Sequence, residues 1–297
     1  MKVIARIKGG LGNQLYCYAA AKRLAVKNNA ELIIDDVSGF KRDYLYQRKY
    51  MLDCFKIPHR KATLNERLGP FERVRRGLRK INQQQKAFEN RNYVEQEFNE
   101  FDSRLLSLRI SQDVYIDGLW QSEKYFLDVE KEIRSDLEMK LPLDQKNLSI
   151  ISKIKEKNSV ALHIRWFDQS ATNSKTNVQL NYYHMALDKM EALLTEPYYF
   201  IFSDDPEKAK ASIKLPNGRF EFITHNSEEE NTIWDFWLMQ QCDNFIIANS
   251  TFSWWAAWLS KNDKKVVFFP RLQHDKKNQW CWDYEGQMPN SWYSITL

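Results

Sequence analysis

Residues 3–34 read VIARIKGGLGNQLYCYAAAKRLAVKNNAELII, and their pattern decides the fold class. Val3 to Ile7 reads as a strand, Gly9, Gly10 and Gly12 punctuate a turn, and Asn13 is placed to cap a helix running to about Asn28. Glu31 to Ile34 then reads as a second strand. Strand, glycine loop, helix and strand in this order form a βαβ unit, the building block of an α/β domain.

Outward from that unit the pattern recurs. Val114–Ile116 reads as a short strand and Ser122–Leu137 as a helix, while 41–110 offers few period-2 runs, with helical segments between 62 and 85. MKLPLDQKN (139–147), holding Pro142, reads as a linker. Further strands are expected at Ser159–Ile164, Tyr198–Phe202, Phe220–Ile223, Phe245–Ala248 and Val266–Phe269. Helices are expected between them at Tyr182–Leu194, Pro206–Ile213, Thr232–Gln241 and Ser253–Leu259. Such short alternation predicts parallel sheets covered on both faces, with ligands held beyond the carboxyl ends of the strands.

Composition bounds the function. The chain has 297 residues with 43% apolar content, enough for two domains of ordinary size. Its 44 Lys and Arg against 39 acidic residues give a net charge of +5. That balance suits phosphorylated substrates or contact with an anionic surface, and is too weak and dispersed for nucleic acid. The densest basic stretch, ERVRRGLRK (72–80), reads as a solvated helix face, with a membrane-surface role as the alternative. Cys17, Cys54, Cys242 and Cys281 show no CxxC spacing, so reduced thiols are expected. The opening MKVIARIKGG lacks the apolar run of a signal peptide, and no stretch of about 18 apolar residues occurs. A cytoplasmic protein is expected, at most peripheral on a membrane.

Four polar clusters fall at strand ends. Gly9 to Gln14 is either a tight structural turn or a loop bringing N–H groups to a phosphate; its spacing fits neither GxGxxG nor a Walker loop. His163 and Arg165 are two apart, on one side of a strand. Arg165 is either half of a structural pair with Asp168 or a bidentate ligand for a diphosphate. Asp204 and Asp205 suit a guanine edge or ribose, although Asp205-Pro206 also has the form of a helix N-cap. Adjacent carboxylates lack the DxD spacing, so no metal site is expected. Asn249, Ser250, Thr251 and Phe252 open a helix whose hydroxyls and amides suit a phosphate. Trp254, Trp255 and Trp258 read as core for at least two of the three. No nucleophile elbow, HExxH or Cys–His arrangement supports a hydrolase.

Together these clusters resemble the bacterial α-1,2-fucosyltransferases of glycosyltransferase family 11. GGLGNQLYCYAAAKRLA (9–25) resembles the family's N-terminal motif, HIRWFD (163–168) its His-x-Arg-Arg-Gly-Asp motif, and FSDD (202–205) a third. ANSTFSWWAAWL (248–259) matches the last almost letter for letter. The resemblance spans nearly the whole chain. It implies an α/β, GT-B-like fold of two facing Rossmann-like domains with parallel sheets: 1–145 on the acceptor side and 146–297 binding a GDP-sugar. It implies inverting, metal-independent transfer from GDP-β-L-fucose, the donor substrate, to a glycan acceptor, at O2 of a galactoside, with no cofactor. Arg165 is expected on the diphosphate, His163 and Asp204 near guanine or ribose, and Ser250, Thr251 and Phe252 at the phosphate site beside Asn249. Asn13, with Gly10 and Gly12, is expected toward the diphosphate and fucose, Asp235 at the nucleotide, and Asp168 as general base. Trp166 and Phe167 stand where the family carries a second Arg and Gly, which points to a reshaped sugar pocket or a different GDP-sugar. A carbohydrate-binding protein with the same fold is the non-enzymatic alternative.

Overall fold

Strong apolar runs of the kind buried on both sheet faces set the two sheets of this protein. The computed structural model describes residues 1–140, 144–167, 177–226, 231–272 and 286–296. The chain divides into two units. The first holds residues 1–140 and 286–288, and the second the described residues 144–272 and 289–296.

In the first unit the elements run β1 (Lys2–Arg6), α1 (Leu11–Lys27), β2 (Glu31–Asp35), β3 (Arg60–Lys61), α2 (Glu72–Gln84), β4 (Tyr93–Glu95), α3 (Arg104–Ser107), β5 (Val114–Asp117) and α4 (Glu130–Asp136). The strands pair in the order β3-β2-β1-β5-β4, all parallel. Asn13 does not cap α1. Extended backbone at Gly10 starts the helix at Leu11, and the Gln14 N–H donates to the Gly10 carbonyl at 3.0 Å. Asn13 therefore lies in the first turn. The single helix expected over 122–137 is two short 3-10 turns followed by α4, because the backbone leaves the helical region at Phe126 (φ −144°, ψ 6°).

The second unit runs α5 (Gln145–Glu156), β6 (Ser159–Ile164), α6 (Leu180–Leu193), β7 (Tyr198–Ser203), α7 (Pro206–Ser212), β8 (Phe220–Ile223), α8 (Thr232–Gln241), β9 (Asn244–Ile246), α9 (Thr251–Leu259), β10 (Val267–Arg271) and β11 (Tyr293–Thr296). Its strands pair β11-β10-β9-β6-β7-β8, again all parallel. The second unit begins a few residues before the division at 145/146 drawn from sequence. Part of the expected linker is the start of α5, where the Asp144 carboxylate accepts from the Asn147 N–H at 2.9 Å.

The core of the second unit explains its aromatic content. Every residue of β6 is buried. Trp254, Trp255 and Trp258 are all buried on α9, so the core reading holds for all three. Trp254 stacks on Trp258 with centroids 6.2 Å apart and meets Trp255 and Trp292 at 5.2 and 5.5 Å. The Tyr182 hydroxyl lies 2.7 Å from the Ile247 carbonyl and 2.9 Å from that of Phe268, pinning α6 across neighbouring strands. Cys17, Cys54 and Cys242 are free thiols, and Cys281 lies outside the described residues. Among the described residues no helix is long and apolar enough to cross a membrane.

Candidate functional site

In an open parallel sheet the ligand crevice lies where strand order reverses, beyond the carboxyl ends. In the second sheet the chain leaves β6 for β7 and β8 on one side, then returns as β9 on the other. The reversal therefore falls between β6 and β9. Arg165 follows β6 directly, and Asn249 to Phe252 follow β9. Two sequence motifs some eighty residues apart are thus brought to the predicted crevice by strand order alone.

Arg165 is half-buried and pairs with Asp204, at the end of β7, across 3.1 Å. The same carboxylate accepts the Trp166 N–H at 3.0 Å. Asp204 is therefore the acidic partner of Arg165 among the described residues; Asp168, the partner weighed from sequence, lies outside them. Burial raises the Asp204 carboxyl above the usual range, and the Arg165 charge only partly offsets this. The Arg165 guanidinium also lies 5.2 Å from the centre of the Phe167 ring. A carboxylate thus holds one guanidinium nitrogen while an aromatic ring lies beside the charge. Trp166 is buried in the apolar cluster around β6 and α6, with the Lys208 ammonium 4.4 Å above its ring.

His163 is buried and its Nδ1 lies 2.8 Å from the Ser253 hydroxyl. Burial first, then the Arg165 charge, pushes its pKa down to about 3, so the ring stays neutral at physiological pH. It packs against Phe252 at 5.8 Å, and Phe252 meets Phe236 at 5.2 Å. Ser253 is a functional neighbour that sequence reading passed over. Its signal was the helix start itself: a serine three places beyond the cap points back along the first turn. At that cap the Ser250 hydroxyl accepts from the Phe252 N–H at 3.3 Å. That donor is already engaged, so the amides after β9 are less open than the sequence implied. Asp205 caps α7 by accepting from the Lys208 N–H at 3.0 Å, and so leaves Asp204 as the carboxylate in the crevice.

Asp235 sits one residue before Phe236, in the first turn of α8. Burial pushes its carboxyl up to about 7, with the Asn226 amide, at 2.9 Å, pulling the other way. Asn226 in turn exchanges bonds with the buried Asn147, which lies 3.0 Å from His225 Nε2. This amide scaffold had no readable spacing, since its members come from α5, the end of β8 and α8.

In the first sheet the reversal lies between β1 and β5, at the Gly9 loop. Gly9 takes φ +77°, and a Cβ there would stand 2.9 Å from the Asn13 amide. Asn13 Oδ1 accepts from Gln121 at 2.8 Å. Gln14, the last residue of that motif, is a brace. It is fully buried, donates to the Gly9 and Lys49 carbonyls and accepts from the Met51 N–H. Gly10 stands at the N-cap and Gly12 in the first turn of α1. Beside them Asp117 holds Lys8 at 2.7 Å and Arg6 at 3.0 Å, and these two cations outweigh its burial and keep its pKa down at about 2. Among the described residues no group of three or more His, Cys, Asp or Glu is gathered as a metal would require.

The chain is 29% identical to an Escherichia coli alpha-1,2-colitosyltransferase, over 99% of this chain and 98% of that one. Its fold is that of Arabidopsis thaliana FUT1 in complex with GDP (TM-score 0.55, 12% identity, 91% and 70% of the two chains). It is also that of Bradyrhizobium NodZ, an alpha-1,6-fucosyltransferase soaked with GDP-fucose (TM-score 0.50, 16% identity, 90% and 94%). A family model described as glycosyl transferase family 11 matches residues 2–295, and the chain belongs to that family.

Proposed function

We propose that this glycosyltransferase is a galactoside α-1,2-L-fucosyltransferase that takes L-fucose from GDP-β-L-fucose with inversion and without a metal. The observation that carries the reading is the meeting of Arg165, Asp204 and the Asn249–Phe252 turn at the strand reversal of the second sheet. A guanidinium held by a ring and a carboxylate, beside a helix start, suits a diphosphate. The acceptor hydroxyl attacks the anomeric carbon from the face opposite GDP. The bond from that carbon to the β-phosphate oxygen breaks, the pair leaves with GDP, and the hydroxyl proton goes to a base. We assign the base to Asp168, three residues along the chain from Arg165. Arg165 stabilises the charge growing on the leaving phosphate. Asp235 accepts from the N1 and N2 donors of guanine, with His163 and Asp204 near the nucleoside. Gly10, Gly12 and Asn13 remain candidate donor contacts on the sequence match. The reading includes a cytoplasmic location.

A second donor is favoured by one observation, the similarity to a colitosyltransferase. L-colitose is L-fucose without its 3-hydroxyl, so both donors fit the same diphosphate clamp. Transfer to a galactoside acceptor should be compared with GDP-fucose, GDP-colitose and GDP-mannose, with and without EDTA. Faster transfer from GDP-fucose, unchanged by EDTA, is expected. Transfer from GDP-colitose alone would assign the other donor, and a clear loss with EDTA would overturn the metal-free mechanism.

The raised Asp235 carboxyl gives a pH test. Below about 7 it is increasingly neutral and a poorer acceptor for two guanine N–H groups. Guanosine affinity should therefore rise with pH between about 6 and 8, by up to about tenfold per unit on the acid side. Asp235→Asn should flatten the profile. Guanosine carries no phosphate to titrate, so a flat wild-type profile speaks directly against Asp235 as the guanine acceptor.

A further inference from the structure

Helix α2 is built the wrong way round for a soluble protein. At about 100° per residue, Val74, Leu78 and Ile81 share an arc of roughly 60°. Glu72, Arg76, Arg79 and Gln83 share the opposite one. An amphipathic helix in a globular protein turns its apolar stripe to the core. Here the polar side is turned inward. Gln83 is buried and accepts the Asn92 N–H at 3.0 Å, and Lys80 pairs with Glu95 of β4 at 2.9 Å. The apolar side stands in solvent: Val74 is 61% exposed, Leu78 57%, Ile81 59%, and Phe71 at the N-cap 77%.

The charge around the stripe is one-sided. The helix carries Arg73, Arg75, Arg76, Arg79 and Lys80 against Glu72 alone. Glu72 is itself paired with Lys41 at 3.1 Å, which ties in the turn where Tyr44 and Leu45 are about four-fifths exposed. That ion pair lies on the side of the helix away from the stripe.

We infer that α2 docks this protein onto the surface of a bilayer containing anionic phospholipid. A large apolar stripe flanked by Arg and Lys, on a helix of low mean hydropathy, is the pattern that lies in the interface with its apolar side chains among the acyl ends. Thirteen residues are too short to span a bilayer. A second copy would bring the same cationic flanks against these, so charge opposes self-association through this face. A lipid leaflet supplies both the negative charge and the apolar layer.

The test is flotation of the full chain with vesicles of phosphatidylcholine alone, or of phosphatidylcholine mixed with phosphatidylglycerol. The wild type should float with the mixed vesicles, remain behind with phosphatidylcholine, and be released by salt. Replacing Val74, Leu78 and Ile81 together by Ser should lower partitioning at least about tenfold, and Arg73→Gln several-fold. Leu78→Glu is the second, single-site variant; it sets a carboxylate against the headgroups and should lower partitioning comparably. All are solvent-facing, so melting temperature and transfer to a soluble acceptor should not change. Failure of the wild type to float with mixed vesicles would overturn the inference, as would flotation undiminished in both stripe variants. So would a concentration-dependent dimer, lost in those variants, without lipid binding.

Discussion

Arg165→Ala should lower kcat for sugar transfer by about two to three orders of magnitude, the loss of about 2.7–4 kcal/mol seen when one preorganised donor is removed from a developing anion. The expectation rests on how the side chain is held. Asp204 holds one guanidinium nitrogen at 3.1 Å and the Phe167 ring lies beside the charge, so the side chain is positioned before the donor arrives. Arg165→Lys should recover little, because an ammonium keeps the charge and loses the planar pair of donors. Truncation also leaves Asp204 without its cation in a setting that already raises its pKa. Some stability is lost with it. The double variant Arg165→Ala, Asp204→Asn separates the two effects: melting temperature should recover, and turnover should not. Steady-state rates with saturating acceptor read the result, and a single variant within about threefold of wild type would remove Arg165 from the mechanism.

Trp254→Ala should cost about 3–5 kcal/mol of stability, the range for deleting a fully buried large aromatic. For a unit of this size that is a fall of about 6–20 °C in melting temperature. The indole is completely buried and touches Trp255, Trp258 and Trp292, so no neighbour can swing in to fill the space. The change bears on the site because α9 also carries Ser253, the partner of His163. Below the melting transition, transfer should persist within several-fold, since the cap at Ser250 and the bond to His163 do not use the indole. Calorimetry and cold assays check both halves. A fall of less than about 2 °C would mean that the tryptophan cluster does not anchor this unit.

What the sequence made legible follows from how strongly each segment is constrained. Strands buried on both faces, such as SVALHI and YYFIF, have one reading, and α7 and α9 have side-chain caps at Asp205 and Ser250, so the second sheet could be laid out with small shifts at the ends. The stretch 41–110 resisted because its strands are two and three residues long, too short for any period. Helix α5 was hidden behind Pro142, which marks a boundary whether or not a helix follows. In the site, spacing within one motif was informative: His163 with Arg165, and Asn249 through Phe252. Partnerships between motifs were not. The sequence offered Asp168, outside the described residues, as one possible partner of Arg165, and gave no sign that parallel pairing of β6 with β7 brings Asp204 to it. Trp166 drew attention because it departs from the family pattern, and its burial beside β6 had no signal in the motif itself. In the basic run of α2, Arg73, Arg75 and Lys80 are exposed as read, whereas Arg76 and Arg79 lie on the packed side, and the apolar stripe shows its meaning only once that side is known.

The central claim is that a leaving diphosphate is held at the strand reversal of the second sheet by Arg165 and the turn after β9. A crystal structure with GDP bound tests it most directly. The account predicts phosphate oxygens within hydrogen-bond distance of the Arg165 guanidinium and of the 250–252 main chain, with the guanine edge against Asp235. Nucleotide seated away from position 165 and from that turn would contradict it.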